Sequence, residues 1–151
     1  MVTYESLDDL RAAAGTHLGW TDWIEITQDR VNLFADATGD HQWIHVDPER
    51  ATAESPFGGP IAHGYLTLAL SNLFLPQLIT VPAASAGVNY GTGRVRFPSP
   101  VPVGSRIRGG AEITAVEDIA GGLQTTITIS IEVEGSDKPA CVIESLSRWL
   151  A

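Results

Sequence analysis

Asp40 and His45 stand in the segment Gly39-Asp40-His41-Gln42-Trp43-Ile44-His45-Val46, where a carboxylate and an imidazole fall on one short stretch of chain. Adding water next to a carbonyl needs such a pair: one group takes a proton from water while a proton is delivered to the carbon alpha to the carbonyl. The spacing by itself is unspecific. Asp40 reads equally as the loop residue after a helix, and His45 as a surface or partly buried imidazole. Among the neighbours, Asp36 reads as a solvated helical residue, Asp47 as an N-cap and His41 as a solvent-facing loop residue.

His63-Gly64 opens a long apolar run. A backbone N–H at a helix start points along the positive end of the helix dipole toward any nearby oxygen, and glycine permits close approach. Gly64 is therefore a candidate donor to a carbonyl oxygen that gains negative charge as a nucleophile adds, or simply a glycine that the chain geometry needs at a helix entry. His41 and His45 have the i, i+4 spacing of a metal pair only if their segment is helical. The loop reading and the absence of an H-E-x-x-H motif speak against a metal. G-x-G-x-x-G, Walker and G-x-S-x-G motifs are also absent, which leaves nucleotide-dependent and serine-hydrolase chemistry without support.

These residues need elements to hold them. Leu7, Leu10 and Ala14 predict a short opening helix over 7–14, stopped by Gly15. Trp20–Ile26 reads as a strand, and Thr27 caps a helix running to Gly39. Asp47-Pro48-Glu49 is a fresh helix start, with a capping side chain, proline in the first turn and an acid that suits the dipole. Asp40–Val46 is then the loop between two helices, a common place for acid/base groups. Ser55–Pro60 is turn-forming. From Gly64 to Val81 the leucines cover almost every side of a helix, which predicts burial on all sides.

The second half follows the two-residue period of strands. In Leu123–Val133 every odd position except Thr125 is aliphatic. Val88–Phe97, Arg106–Val116 and Cys141–Leu150 are further strands, separated by turn-rich segments. An antiparallel sheet curled around a long central apolar helix satisfies both patterns, so the fold class is α+β with a hot dog arrangement.

At 151 residues the chain suits one domain, 1–151, with a core that needs no staples. A formal charge of −9 and the lack of a Lys/Arg run argue against nucleic-acid binding. The single cysteine, Cys141, forms no internal disulfide and reads as a buried, inert thiol, in keeping with a reducing cytoplasm. No signal core opens the chain, and Ser71, Asn72, Pro76 and Gln77 interrupt the apolar run before it reaches membrane-spanning length.

Phe34–Asp47, Gly59–Leu66, and Asn89–Gly91 with Arg94–Val101 together resemble the MaoC-like (R)-specific enoyl-CoA hydratases, over most of the chain from Ile26 onward. The resemblance implies that Asp40 and His45 hold the reacting water and that the Gly64 amide meets the thioester carbonyl. It implies reversible hydration of trans-2-enoyl-CoA to (R)-3-hydroxyacyl-CoA, within fatty-acid metabolism, without cofactor or metal. It also implies a homodimer with the acyl tunnel at its interface. The carrier is coenzyme A or acyl carrier protein. Where the family commonly has Asn-Pro, this chain has Gln42-Trp43, so either Gln42 orients the loop in place of the missing amide or Trp43 packs beneath it. Arg94, Arg96, Arg106 and Arg108 read as a solvated strand face rather than as phosphate ligands. A hot dog thioesterase and a non-catalytic acyl-thioester binding protein are the alternative readings.

Overall fold

Alternation decides the sheet. In the computed structural model, which describes residues 1–151, the antiparallel strands β5 (Ala86–Arg96), β6 (Arg106–Ile119), β7 (Gly122–Val133) and β8 (Cys141–Leu150) follow the predicted turns. They join β2 (Thr16–Trp20) in the order β2-β6-β7-β8-β5, and β3 (Ile24–Glu25) pairs with the start of β6. The register sets like against like: Ile127 of β7 is opposite Ile113 of β6, and Ile129 lies between Ala111 and Ile143. Every odd residue of β7 from Leu123 to Val133 is buried. Thr125, the one polar residue in that row, accepts a hydrogen bond from the Trp149 indole at 3.0 Å and donates to the Ser147 carbonyl at 3.4 Å.

The apolar run does not form one uninterrupted helix. It divides at Leu70 into α5 (Gly64–Ala69) and α6 (Ser71–Leu78), and the chain then turns extended as β4 (Ile79–Thr80), paired in parallel with β1 (Val2–Thr3). Pro76 inside α6 has no amide to return to Asn72 and crowds that carbonyl, which weakens the helix around the break. Burial on all sides is likewise corrected. Leu66, Thr67, Phe74 and Leu78 are buried, whereas Tyr65 and Leu73 are exposed.

The buried face is packed at backbone distance. A Cβ on Gly109 of β6 would lie 2.6 Å from Phe74, so the helix approaches the sheet this closely only because that residue is glycine. Phe74 is wholly buried there, worth about 3 kcal/mol of transfer free energy. No helix is long and apolar enough to cross a membrane.

Other elements shift modestly. The opening helix α1 is Leu7–Arg11, shorter than predicted, and begins with a Ser6–Asp9 capping box. Of the strand expected over Trp20–Ile26, only Trp20, the last residue of β2, and Ile24–Glu25 of β3 are in the sheet; between them the Thr21 hydroxyl accepts from the Gly109 amide and donates to the Asp22 carbonyl. On the outer sheet face Arg106 pairs with Glu134 and Arg108 with Glu132. Cys141 is buried, and burial pushes its thiol up to about 11, as an inert core residue requires.

Candidate functional site

The site begins where helix α2 (Gln28–Thr38) stops. The Thr27 hydroxyl caps its start, and Gly39 ends it at φ 81°, a left-handed conformation that glycine adopts without strain. Asp40 follows at once. The loop expected over 40–46 is shorter than its sequence suggests, because Trp43–Val46 closes into one helical turn, α3, leading through the Asp47 cap into α4 (Pro48–Glu54). His45 therefore projects from a helical turn, not from a loop. Gln28 of α2 ties that turn down, its side-chain amide donating to the His45 carbonyl at 2.7 Å.

His45 is buried, and its Nδ1 lies 2.6 Å from the Ile61 carbonyl. A carbonyl only accepts, so Nδ1 carries the hydrogen and, in the neutral ring, Nε2 presents a lone pair. Burial is the main cause that lowers the His45 pKa, and the neighbouring His63 adds to it. The Ile61 hydrogen bond and the Asp40 carboxylate act in the opposite direction. The net result favours the neutral, proton-accepting imidazole.

Asp40 is the more open partner, with 53% of its side chain exposed. Its Oδ1 accepts from the Gln42 backbone N–H at 3.3 Å. Gln42 thus orients Asp40 through its main chain, while its exposed side chain makes no capping bond. Trp43 is the first residue of the α3 turn. It is half-buried, with the Arg50 guanidinium 4.3 Å above its ring. His41 and Asp36 are exposed and paired with each other at 2.8 Å.

One residue was overlooked for what its side chain does. His63 was read only as the neighbour of Gly64, yet it is 3% exposed and stacks on His45 with ring centroids 3.9 Å apart. Its Nε2 donates to the Asp40 carbonyl at 2.9 Å and lies 3.9 Å from the Asp40 carboxylate. A histidine beside a helix-entry glycine was the only sequence signal for it.

Asp40, His45 and His63 each bring one nitrogen or oxygen within 4.8 Å of the others. Those atoms are close enough for a shared metal ion or a shared proton. One nitrogen of each ring is hydrogen-bonded to a carbonyl, and the two rings stack at 26°.

Gly64 is the first residue of α5, so its N–H has no partner within the helix. It borders a mostly apolar pocket of about 300 Å³ lined also by Phe57, Ile61, Thr67, Phe97 and Val101. A Cβ at Gly64 would touch the Phe97 ring at 3.4 Å, so a side chain there would crowd the pocket wall.

Residues 9–134 match the family model described as the MaoC like domain. The chain is 57% identical to the 3-hydroxyacyl-thioester dehydratase Z of Mycobacterium tuberculosis (strain ATCC 25618 / H37Rv), over the whole of both chains. It is 46% identical to nodulation protein N of Rhizobium meliloti (strain 1021), over 97% of this chain and 89% of that one. Among solved structures, the (R)-hydratase from A. caviae involved in PHA biosynthesis superposes with a TM-score of 0.74 at 26% identity, over 90% of this chain and 96% of the other. The expected hot dog architecture is the architecture of these relatives. The chain belongs to the MaoC-like dehydratase family, whose members named here as dehydratases and hydratases are hydro-lyases.

Proposed function

We propose that the chain, acting as one hot dog domain over 1–151, is an (R)-specific enoyl-CoA hydratase that reversibly adds water to a trans-2-enoyl thioester. The observation that carries this reading is the convergence of the Asp40 carboxylate with His45, whose tautomer the Ile61 carbonyl determines. Water sits between the Asp40 carboxylate and His45 Nε2. As its oxygen bonds to C3, a proton passes to the dyad and the double-bond electrons move onto C2 and the thioester carbonyl. The Gly64 N–H meets the charge that develops on that oxygen. A proton then returns from the dyad to C2, so the sum is one water added. The relatives' names point to 3-hydroxyacyl thioesters and to the R configuration. Coenzyme A and acyl carrier protein are both suitable carriers.

The acyl chain lies along α5 and α6. Thr67 lines the pocket beside Gly64, and Ser71, one helical turn on, lines a second cavity of about 340 Å³ together with Leu75, Ser145, Ser147 and Trp149. A second copy of the chain closes this path. β5 is an edge strand whose outer side has no partner, and Val88, Tyr90, Phe97, Tyr65 and Leu73 are exposed on or near it, a liability that pairing into a homodimer removes. The expected compartment is the cytoplasm.

The test is hydration of crotonyl-CoA, followed by loss of enoyl absorbance, with the product's chirality determined. (R)-3-hydroxybutyryl-CoA from the wild type, with most turnover lost in folded Asp40→Asn and His45→Gln, supports the reading. Thiol release without hydration would make the chain a thioesterase, and binding of the thioester without turnover would make it a carrier. Light scattering that finds a stable monomer would remove the dimer.

A further inference from the structure

The side chain that ties Asp40 to His45 is one the proposed mechanism does not use. His63 is buried at the junction of three elements: it precedes α5, it lies face to face with His45 of α3, and its ring is 5.0 Å from Phe34 of α2. Its two polar atoms have different fates. Nε2–H is spent on the Asp40 main-chain carbonyl, whereas Nδ1 is buried without a partner. An unpaired buried nitrogen costs stability, about 1–3 kcal/mol, and an apolar ring of similar size would avoid that cost. A purely structural filler at this place would be better served by phenylalanine.

We infer that His63 is a positioning residue, which holds Asp40 and His45 in mutual reach from beneath. The argument rests on the proposed roles of those two residues. Asp40 is otherwise held weakly. Its carboxylate is half exposed, and the hydrogen bonds that tether it to the adjacent chain are long, 3.3 Å to its Oδ1 from the Gln42 amide and 3.4 Å from its own amide to the Thr38 hydroxyl. The bond from His63 is shorter and comes from a buried group across 23 residues of sequence, so it sets where Asp40 stands relative to the α5 end of the pocket. The same ring forms the face against which His45 lies, and thereby fixes the plane in which the free His45 Nε2 points.

A second consequence is electrostatic. The Asp40 carboxylate favours protonation of His45, and the adjacent His63 imidazole opposes it. The groups that reach the pair from α2 are Gln28 and Phe34, and the preceding segment contributes the Ile61 carbonyl, none of which titrates. Removing the His63 imidazole takes away the smaller of the two influences that lower the His45 pKa, burial being the larger, and His45 binds its proton at higher pH.

The experiment compares kcat and KM for crotonyl-CoA hydration across pH in wild type, His63→Phe and His63→Gln, with folding checked by circular dichroism and thermal melting. In His63→Phe the stack remains and the donor is lost, and kcat falls about 100-fold through misplacement of Asp40, with a smaller change in KM. His63→Gln, which restores an N–H donor, recovers part of that loss. In both variants the acid limb of the kcat profile moves to higher pH, so either one tests the inference if the other does not fold. Folded variants with wild-type kcat and an unmoved acid limb overturn it. If Asp40→Asn and His45→Gln lose turnover while the His63 variants keep it, this inference alone fails. If all four keep it, the reading of the site fails with it.

Discussion

The two pockets beside α5 and α6, one at Gly64 and one at Leu75, are built differently, although successive helices of the same run border them. At the Gly64 end the polar atoms are committed to one another: His45 to Ile61, His63 to Asp40, Gln28 to the end of α3. The wall there is otherwise apolar, from Phe57, Ile61, Phe97 and Val101. At the Leu75 end the core-facing side of β8 changes from Cys141 and Ile143 to Ser145 and Ser147, and these line the larger cavity with Ser71, Asn72 and Asn89. One end spends its hydrogen bonds on placing a reactive lone pair. The other leaves small polar side chains around open space. That division suits the proposed reaction, which needs precision where bonds change and room where an acyl tail fits.

This contrast is broken most severely at the near end. Asp40→Asn or His45→Gln lowers kcat for crotonyl-CoA about 100- to 10,000-fold, the range expected when a positioned proton-transfer group is lost. The folded protein should melt close to wild type, and a variant retaining turnover would show that the ordered end is not the reacting one. At the far end, Ser145→Leu narrows the cavity. Turnover of 2-octenoyl-CoA relative to crotonyl-CoA should fall about tenfold, as pocket contacts of a few methylenes allow. An unchanged ratio would place the acyl chain elsewhere.

Smaller effects sharpen the same comparison. Thr125→Val deprives the Trp149 indole N–H, beside the larger cavity, of its acceptor and should cost about 1 kcal/mol in urea unfolding. For pH the sign follows from His45. Its folded pKa is lowered, so the unfolded chain binds the proton first as pH falls. The stability it contributes is intact above its ordinary value of 6.5 and declines below it, and kcat falls on the same acid side. His45→Gln should flatten that part of the stability profile. Arg106→Ala, which breaks an exposed pair with Glu134 on the outer sheet face, should leave the melting temperature and turnover unaltered.

The legible parts of the molecule were those with a local cause. The alternation in Leu123–Val133 told the sheet its faces, and the Thr27 and Asp47 caps bounded the segment that carries Asp40 and His45. Those signals lie within a few residues of what they determine, and so survive in one dimension. The chemical types of the acid/base pair, and the glycine at the entry to α5, could be named for the same reason.

Tertiary structure decided what depends on distant partners. Nothing near His45 in sequence foretells that the Ile61 carbonyl selects its tautomer or that the ring of His63 lies against it. Pro76 interrupts the apolar run in sequence, but that the helix divides at Leu70, that Leu73 stays exposed and that Phe74 packs on Gly109 are seen only in the fold. Thr125 looked like an exception in its strand until Trp149 arrived from β8 to use its hydroxyl. Sequence alone determines periodicity, caps and chemical inventory because these are properties of neighbouring residues. The reach of a proton acceptor toward a carboxylate is a sum of long-range contacts, and only the folded chain brings them together.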